Sequence, residues 1–156
     1  KNYQKQKRLV ARLQRKIKNQ RKNFTATLST ALIKNHDLVV TENLQSKNML
    51  KNHALAMSIS DVGWRQFIDE LKYKAVMYNR IYILVNPRYT TQICHTCGYH
   101  MGSDDRSHSL TLKERIWWCP NCHRLNLRDF NAAQNILDKG LHQYADIPLH
   151  TANVYQ

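Results

Sequence analysis

Residues 94–97 read Cys94-His95-Thr96-Cys97 and residues 119–122 read Cys119-Pro120-Asn121-Cys122, two Cys-x-x-Cys pairs separated by twenty-one residues. A Cys-x-x-Cys turn aims two thiolates at one point, and two such turns complete the tetrahedral sulfur set that zinc takes. The spacing predicts a zinc ribbon with Cys94, Cys97, Cys119 and Cys122 as ligands. Two disulfides would need an oxidising compartment, and a chain that opens on lysine with no apolar leader gives no sign of export. A redox pair would use one motif and leave the other idle. His95, His100 and His123 lie close to the thiols, but four cysteines leave them no coordination position. Four thiolates also close the metal to water, so the ion is expected to hold the fold rather than to catalyse.

The ribbon sits inside a 156-residue chain, long enough for one domain with an insertion. Its 42% hydrophobic residues suffice for an ordinary core, and no apolar run has the length of a membrane span. A soluble protein is expected. Lys plus Arg number 24 against 11 Asp plus Glu, a formal charge of +13. An excess of that size favours a polyanionic partner, with nucleic acid ahead of a membrane surface.

Upstream, residues 1–22 hold ten Lys or Arg and no acid. Leu9, Leu13 and Ile17 recur at four-residue steps, and Phe24, Leu28 and Leu32 resume the rhythm a heptad later. One long amphipathic helix, or two in line, is predicted, with its apolar stripe covered by a sheet or helix. The opposite face, with Lys5, Arg8, Arg12, Arg15 and Lys16, is either solvated or a phosphate contact, and the whole-chain charge favours phosphate. Leu38–Val40 reads as a short buried strand with Glu42 at its carboxyl end, where open α/β sheets place their chemistry. Taken alone, Glu42 reads as a solvent-exposed loop acid.

A polar loop or irregular turn is expected over Asn43–Ser58. Ser60 or Asp61 then caps a helix with Trp64, Phe67, Ile68, Leu71 and Ala75 on one face and Asp69 and Glu70 as surface acids, ending at Asn79. Ile81–Val85 is a second strand, so that strand, helix and strand make a right-handed parallel crossover. Within the ribbon, Gly102–Ser109 is a polar loop and Arg115–Trp118 a strand. A helix follows over Asn131–Lys139 with Ala132, Ala133, Ile136 and Leu137 inward and Gly140 as its stop. Asp129 at its start suits the helix dipole, which accounts for it locally as well as catalysis does. Leu141–Gln156 reads as a tail.

Several stretches together resemble one family: Val39-Val40-Thr41-Glu42-Asn43-Leu44, Ser60-Asp61 through Trp64, Leu71-Lys72-Tyr73-Lys74, Thr90-Thr91-Gln92 before Cys94, Cys97-Gly98-Tyr99, Trp118-Cys119-Pro120-Asn121-Cys122, and Arg128-Asp129-Phe130-Asn131-Ala132-Ala133. Their order and spacing are similar to those of TnpB, the transposon-encoded OrfB proteins, themselves similar to type V CRISPR effectors. The resemblance covers about Asn23 to Leu141. It implies an α/β chain with a partial RNase H-like (RuvC-like) fold that lacks its first strands and carries an inserted zinc ribbon. The implied division is a core segment over residues 1–93, the ribbon over 94–125, a final helix over 126–140 and a tail over 141–156. The location that the resemblance implies is the prokaryotic cytoplasm or nucleoid.

The resemblance further implies a metal-dependent DNA endonuclease directed by a guide RNA, with magnesium held by three carboxylates. Glu42 looks like the second of them and Asp129 the third, and Arg128 like a contact to the scissile phosphate or to the acid. The position two before Asp129, often acidic in the family, is Leu127 here. The first catalytic Asp of the family precedes the basic helix and has no counterpart in these residues. The chain alone is therefore expected to be inactive, with an upstream half of the same protein as partner alongside DNA and guide RNA. The competing reading is a non-catalytic zinc-ribbon nucleic-acid-binding module that regulates a transposon. A remnant without activity is the third.

Overall fold

The structure, a computed structural model, describes residues 2–44 and 64–146. The chain divides into two compact units, Lys1–Val39 with Gln45–Tyr82 and Val40–Leu44 with Ile83–Gln156. The loop expected beyond Leu44, the cap at Ser60 or Asp61 and the tail from residue 147 lie outside the described residues.

The first unit is built on α1 (Asn2–Asn35), one helix rather than two, and α2 (Trp64–Met77). The sequence led us to expect burial of the Leu9, Leu13, Ile17, Phe24 and Leu28 stripe. Those residues are 39–67% exposed. Burial falls instead on Thr25, Ser29 and Ile33. Each follows an apolar stripe residue by one position, about 100° round the helix. Ile33 packs with Leu71 and Ala75 of α2, flanked by Leu32, Val39, Phe67, Tyr78 and Tyr82.

Hydrogen bonding explains why two small polar residues face the partner helix. Glu70, expected on the surface, is buried. Its Oε1 accepts from Thr25 Oγ1 at 3.1 Å and Gln66 Nε2 at 2.9 Å. Its Oε2 accepts from Ser29 Oγ at 2.9 Å and Lys74 Nζ at 3.3 Å. Lys74 is buried as well, and it donates at 2.7 Å to both Ala26 O and Ser29 Oγ. A carboxylate and an ammonium leave water only when their hydrogen-bonding capacity is met, and α1 supplies the groups that meet it.

β1 (Leu38–Glu42) and β2 (Ile81–Val85) form a two-stranded sheet, and the strands are shared between the units. Ile81 N–H donates to Asp37 O and Asn43 N–H to Val85 O, both at 2.9 Å. Both strands thus run the same way, as a strand–helix–strand connection requires. Asn79, expected to end α2, does so with φ +52°, a conformation Asn tolerates better than most residues.

In the second unit, β3 (Ile116–Trp118) pairs antiparallel with β4 (Leu125–Leu127), a strand the sequence pattern did not reveal. α3 runs Arg128–Ala145, starting earlier and ending later than expected. Gly140 is not its stop. It lies within the helix, where an added Cβ would sit 2.6 Å from Val40 Cγ1 and closer still to Cγ2. The glycine permits close approach of α3 to β1. A small core of Cys94, Tyr99, Met101, Leu110, Trp117 and Cys119 lies beside the cysteines.

Candidate metal centre and acidic site

Both Cys-x-x-Cys segments fold into the same knuckle. Gly98 N–H donates to Cys94 O at 2.8 Å, and His123 N–H donates to Cys119 O at 2.9 Å. Each turn is then closed from outside, by Cys94 N–H to Tyr99 O and Cys119 N–H to Arg124 O. The residue after each second cysteine takes a positive φ, +73° at Gly98 and +56° at His123. Such a turn leaves both thiols pointing the same way.

The four sulfur atoms lie within 4.8 Å of one another, with Cys94 and Cys119 buried. Sγ of Cys94 is 3.8 Å from that of Cys122, and Cys97 is 3.6 Å from Cys119. Tetrahedral zinc with bonds of about 2.3 Å separates its sulfurs by about 3.8 Å, whereas a disulfide needs about 2.05 Å. The cluster fits structural zinc. Burial and hydrogen bonding divide the metal-free thiols: burial pushes Cys119 up to about 12. At Cys97 burial acts upward too, but hydrogen bonds from the Asn121 side chain and the Tyr99 backbone prevail and lower the thiol to about 6. The described histidines stay outside the sulfur cluster, as expected; His95 Nδ1 lies 3.0 Å from Asp138 Oδ2.

Glu42 ends β1 partly buried, its Oε1 accepting from Thr90 Oγ1 at 2.5 Å. Asp129 stands in the first turn of α3 with its side chain 73% exposed. Its oxygens meet Arg115 Nη1 and Arg128 Nε, each at 3.2 Å. Arg128 is itself buried, and its Nη1 donates to Thr111 O at 3.3 Å and Leu112 O at 2.9 Å. Its guanidinium braces the ribbon loop against the start of α3. Arg115, which sequence reasoning passed over, is the more exposed partner of Asp129. Arg8, Arg12, Arg15 and Lys16 all lie exposed on α1. Both acids fall in the second unit and the basic residues of α1 in the first.

A paired knuckle on a mixed α/β scaffold defines a zinc-ribbon protein, and its relatives say which. A family profile described as "Cas12f1-like, TNB domain" matches residues 64–136, and one described as "Probable transposase" (OrfB_IS605) matches residues 1–53. A Streptomyces pristinaespiralis protein named "Putative RNA-guided DNA endonuclease" is 38% identical over 141 residues, 90% of this chain and 33% of the relative. InsQ of Escherichia coli K12, under the same name, is 34% identical over 154 residues, 89% of this chain and 37% of the relative. The TnpB-like protein MJ1635 of Methanocaldococcus jannaschii is 29% identical over 142 residues, 90% of this chain and 31% of its own length. The chain belongs to the TnpB/OrfB_IS605 family, and it spans about one third of the length of these curated relatives. The match reaches residue 1, beyond the Asn23 limit set by motifs alone.

The solved "Cas12f1-sgRNA-target DNA complex" superposes with TM-score 0.57 at 22% identity, covering 82% of this chain and 35% of that one. That likeness concerns the fold. Among the described residues no helix is long and apolar enough to cross a membrane.

Proposed function

We propose that this chain is the C-terminal part of an RNA-guided DNA endonuclease whose metal-dependent site includes Glu42 and Asp129. The division into a RuvC-like core interrupted by the ribbon belongs to the same proposal. The observation that carries it is the placement of the two acids at a strand end and a helix start of one unit, with Glu42 inside the profile match over residues 1–53 and Asp129 inside that over residues 64–136. The residues fit a hard cation in part: Glu42 accepts a hydrogen bond through Oε1, and the Asp129 side chain is open to solvent. Bound magnesium would supply an activated water and stabilise the leaving oxygen of a phosphodiester. Glu42 and Asp129 would hold the cation, and Arg115 and Arg128 keep the Asp129 carboxylate turned toward the ribbon side of α3. An ordered two-metal site needs a third carboxylate, which this reading assigns to the two thirds of the relatives that the chain does not span.

Cleavage of DNA with magnesium and guide RNA, by this chain with and without an added upstream segment bearing an acid, tests the proposal. Activity that appears only with the added segment supports it. No cleavage by a folded, RNA-bound complex would sink it. The exposed basic face of α1 favours a second reading, a non-catalytic nucleic-acid-binding module. That module would bind RNA or DNA with a steep salt dependence and no cleavage in any combination.

A further inference from the structure

The segment after β2 is laced to α3 by side chains at four-residue steps. Lys139 Nζ donates to Asn86 O at 3.2 Å and Arg88 O at 2.7 Å. Asn135 Nδ2 donates to Thr90 O and Ile93 O, both at 2.8 Å. Asn131 Nδ2 donates to Ile93 O at 2.7 Å, while its Oδ1 accepts from His95 N–H at 2.9 Å. Residues four apart share a helix face, so one row of α3 fixes the path of residues 86–95 up to the first zinc ligand. Asn131 is 1% exposed and Asn135 9%. Burying two amides to hold backbone carbonyls is costly unless every bond is made, and here each amide makes two.

The row converges on Thr90, itself 2% exposed. Its hydroxyl has one hydrogen and two acceptors in reach, Glu42 Oε1 at 2.5 Å and Pro87 O at 3.1 Å. The carboxylate oxygen is the nearer acceptor, so the Thr90 hydroxyl donates to Glu42 Oε1. The Thr90 hydroxyl thereby holds Oε1 of the Glu42 carboxylate.

We propose that Thr90 is a positioning residue for Glu42, and that Asn135 and Asn131 hold Thr90 in place by fixing the backbone between β2 and the zinc knuckle. The inference rests on the reading of Glu42 as a metal-binding carboxylate. A ligating carboxylate fixed by a hydrogen bond loses less freedom when it binds a cation. Loss of such a partner typically costs about 10–100-fold in metal affinity.

The test is a Mn²⁺ titration of the zinc-loaded full chain, with paramagnetic broadening read at carbon-13-labelled Glu and Asp carboxyls. The wild type is expected to broaden at Glu42 and Asp129. Thr90→Val should need about tenfold more Mn²⁺ for half-broadening, Thr90→Ser should restore the wild-type midpoint, and Asn135→Leu should shift in the same sense as Thr90→Val. Zinc content reports folding, and Thr90→Ala, which adds no methyl group to the site, replaces Thr90→Val if that variant loses zinc. Unchanged midpoints in the Val and Ala variants overturn the positioning role while leaving the metal reading intact. A wild type that broadens at neither acid overturns the metal reading, and the inference with it.

Discussion

Glu70→Ala removes the carboxylate around which α1 and α2 meet. Lys74 then keeps two neutral acceptors, Ala26 O and Ser29 Oγ, but loses its counter-charge while its side chain remains 6% exposed. Thr25, Ser29 and Gln66 also lose an acceptor. Breaking a buried pair from one side costs about 3–5 kcal/mol, whereas replacing both members by apolar residues is often neutral or stabilising. Glu70→Ala should therefore destabilise the first unit by about 3 kcal/mol, and Glu70→Leu with Lys74→Met should recover most of that loss. Amide hydrogen exchange at residues 25–35 reads the effect locally, and a loss of about 3 kcal/mol is about 100-fold faster exchange through opening. Exchange within about threefold of wild type would show that Glu70 does not hold α1 against α2.

Acid should act on the same cluster. Burial works to raise the Glu70 carboxyl, but hydrogen bonds from Gln66, Ser29, Lys74 and Thr25 prevail and hold it below 4.5. A depressed folded value means stability that is fully present above the ordinary carboxyl range and is lost as pH falls below 4.5 through the folded value. Protection of residues 25–35 should fall in that window, and the apolar pair should flatten the fall. Elemental analysis should find one zinc per chain. Loading should release protons at neutral pH, from Cys119, raised to about 12, and from Cys122, also raised, and removal by chelator should unfold the ribbon core around Trp117. Gly140→Ala should cost about 1–3 kcal/mol in thermal or chemical denaturation, with relief from Val40→Ala in the same chain. Equal stability of wild type and Gly140→Ala would show that α3 and β1 are not in close contact.

The parts of the fold written in short-range signals were legible. Ile81–Val85 is a β-branched and aromatic run bounded by Asn and Pro, and it is a strand over those residues. The cysteine spacing gives the cluster directly because a knuckle is a local turn. Glu70 was not legible, since an acid four residues before a lysine on a helix normally marks a solvated face. Its burial depends on donors from Thr25 and Ser29, more than forty positions away. The stripe from Leu9 to Leu28 is as regular as expected, but helical spacing shows only that a face is apolar, not which segment covers it. Gly140 misled because a glycine after an apolar helical run usually ends the helix, and only the position of Val40 shows its use. For the acids, Glu42 and Asp129 were picked out by their motifs, while Thr90 is apparent only from the hydroxyl's distance to the carboxylate.

The measurement that bears most directly on the account is magnesium-dependent DNA cleavage by the protein completed with its upstream segment and guide RNA, comparing wild type with Glu42→Gln and Asp129→Asn. Both substitutions keep size and remove charge, so RNA and DNA binding should survive and cleavage should fall by several orders of magnitude. Cleavage retained in both variants would remove Glu42 and Asp129 from the mechanism and leave the chain as a zinc-stabilised binding module.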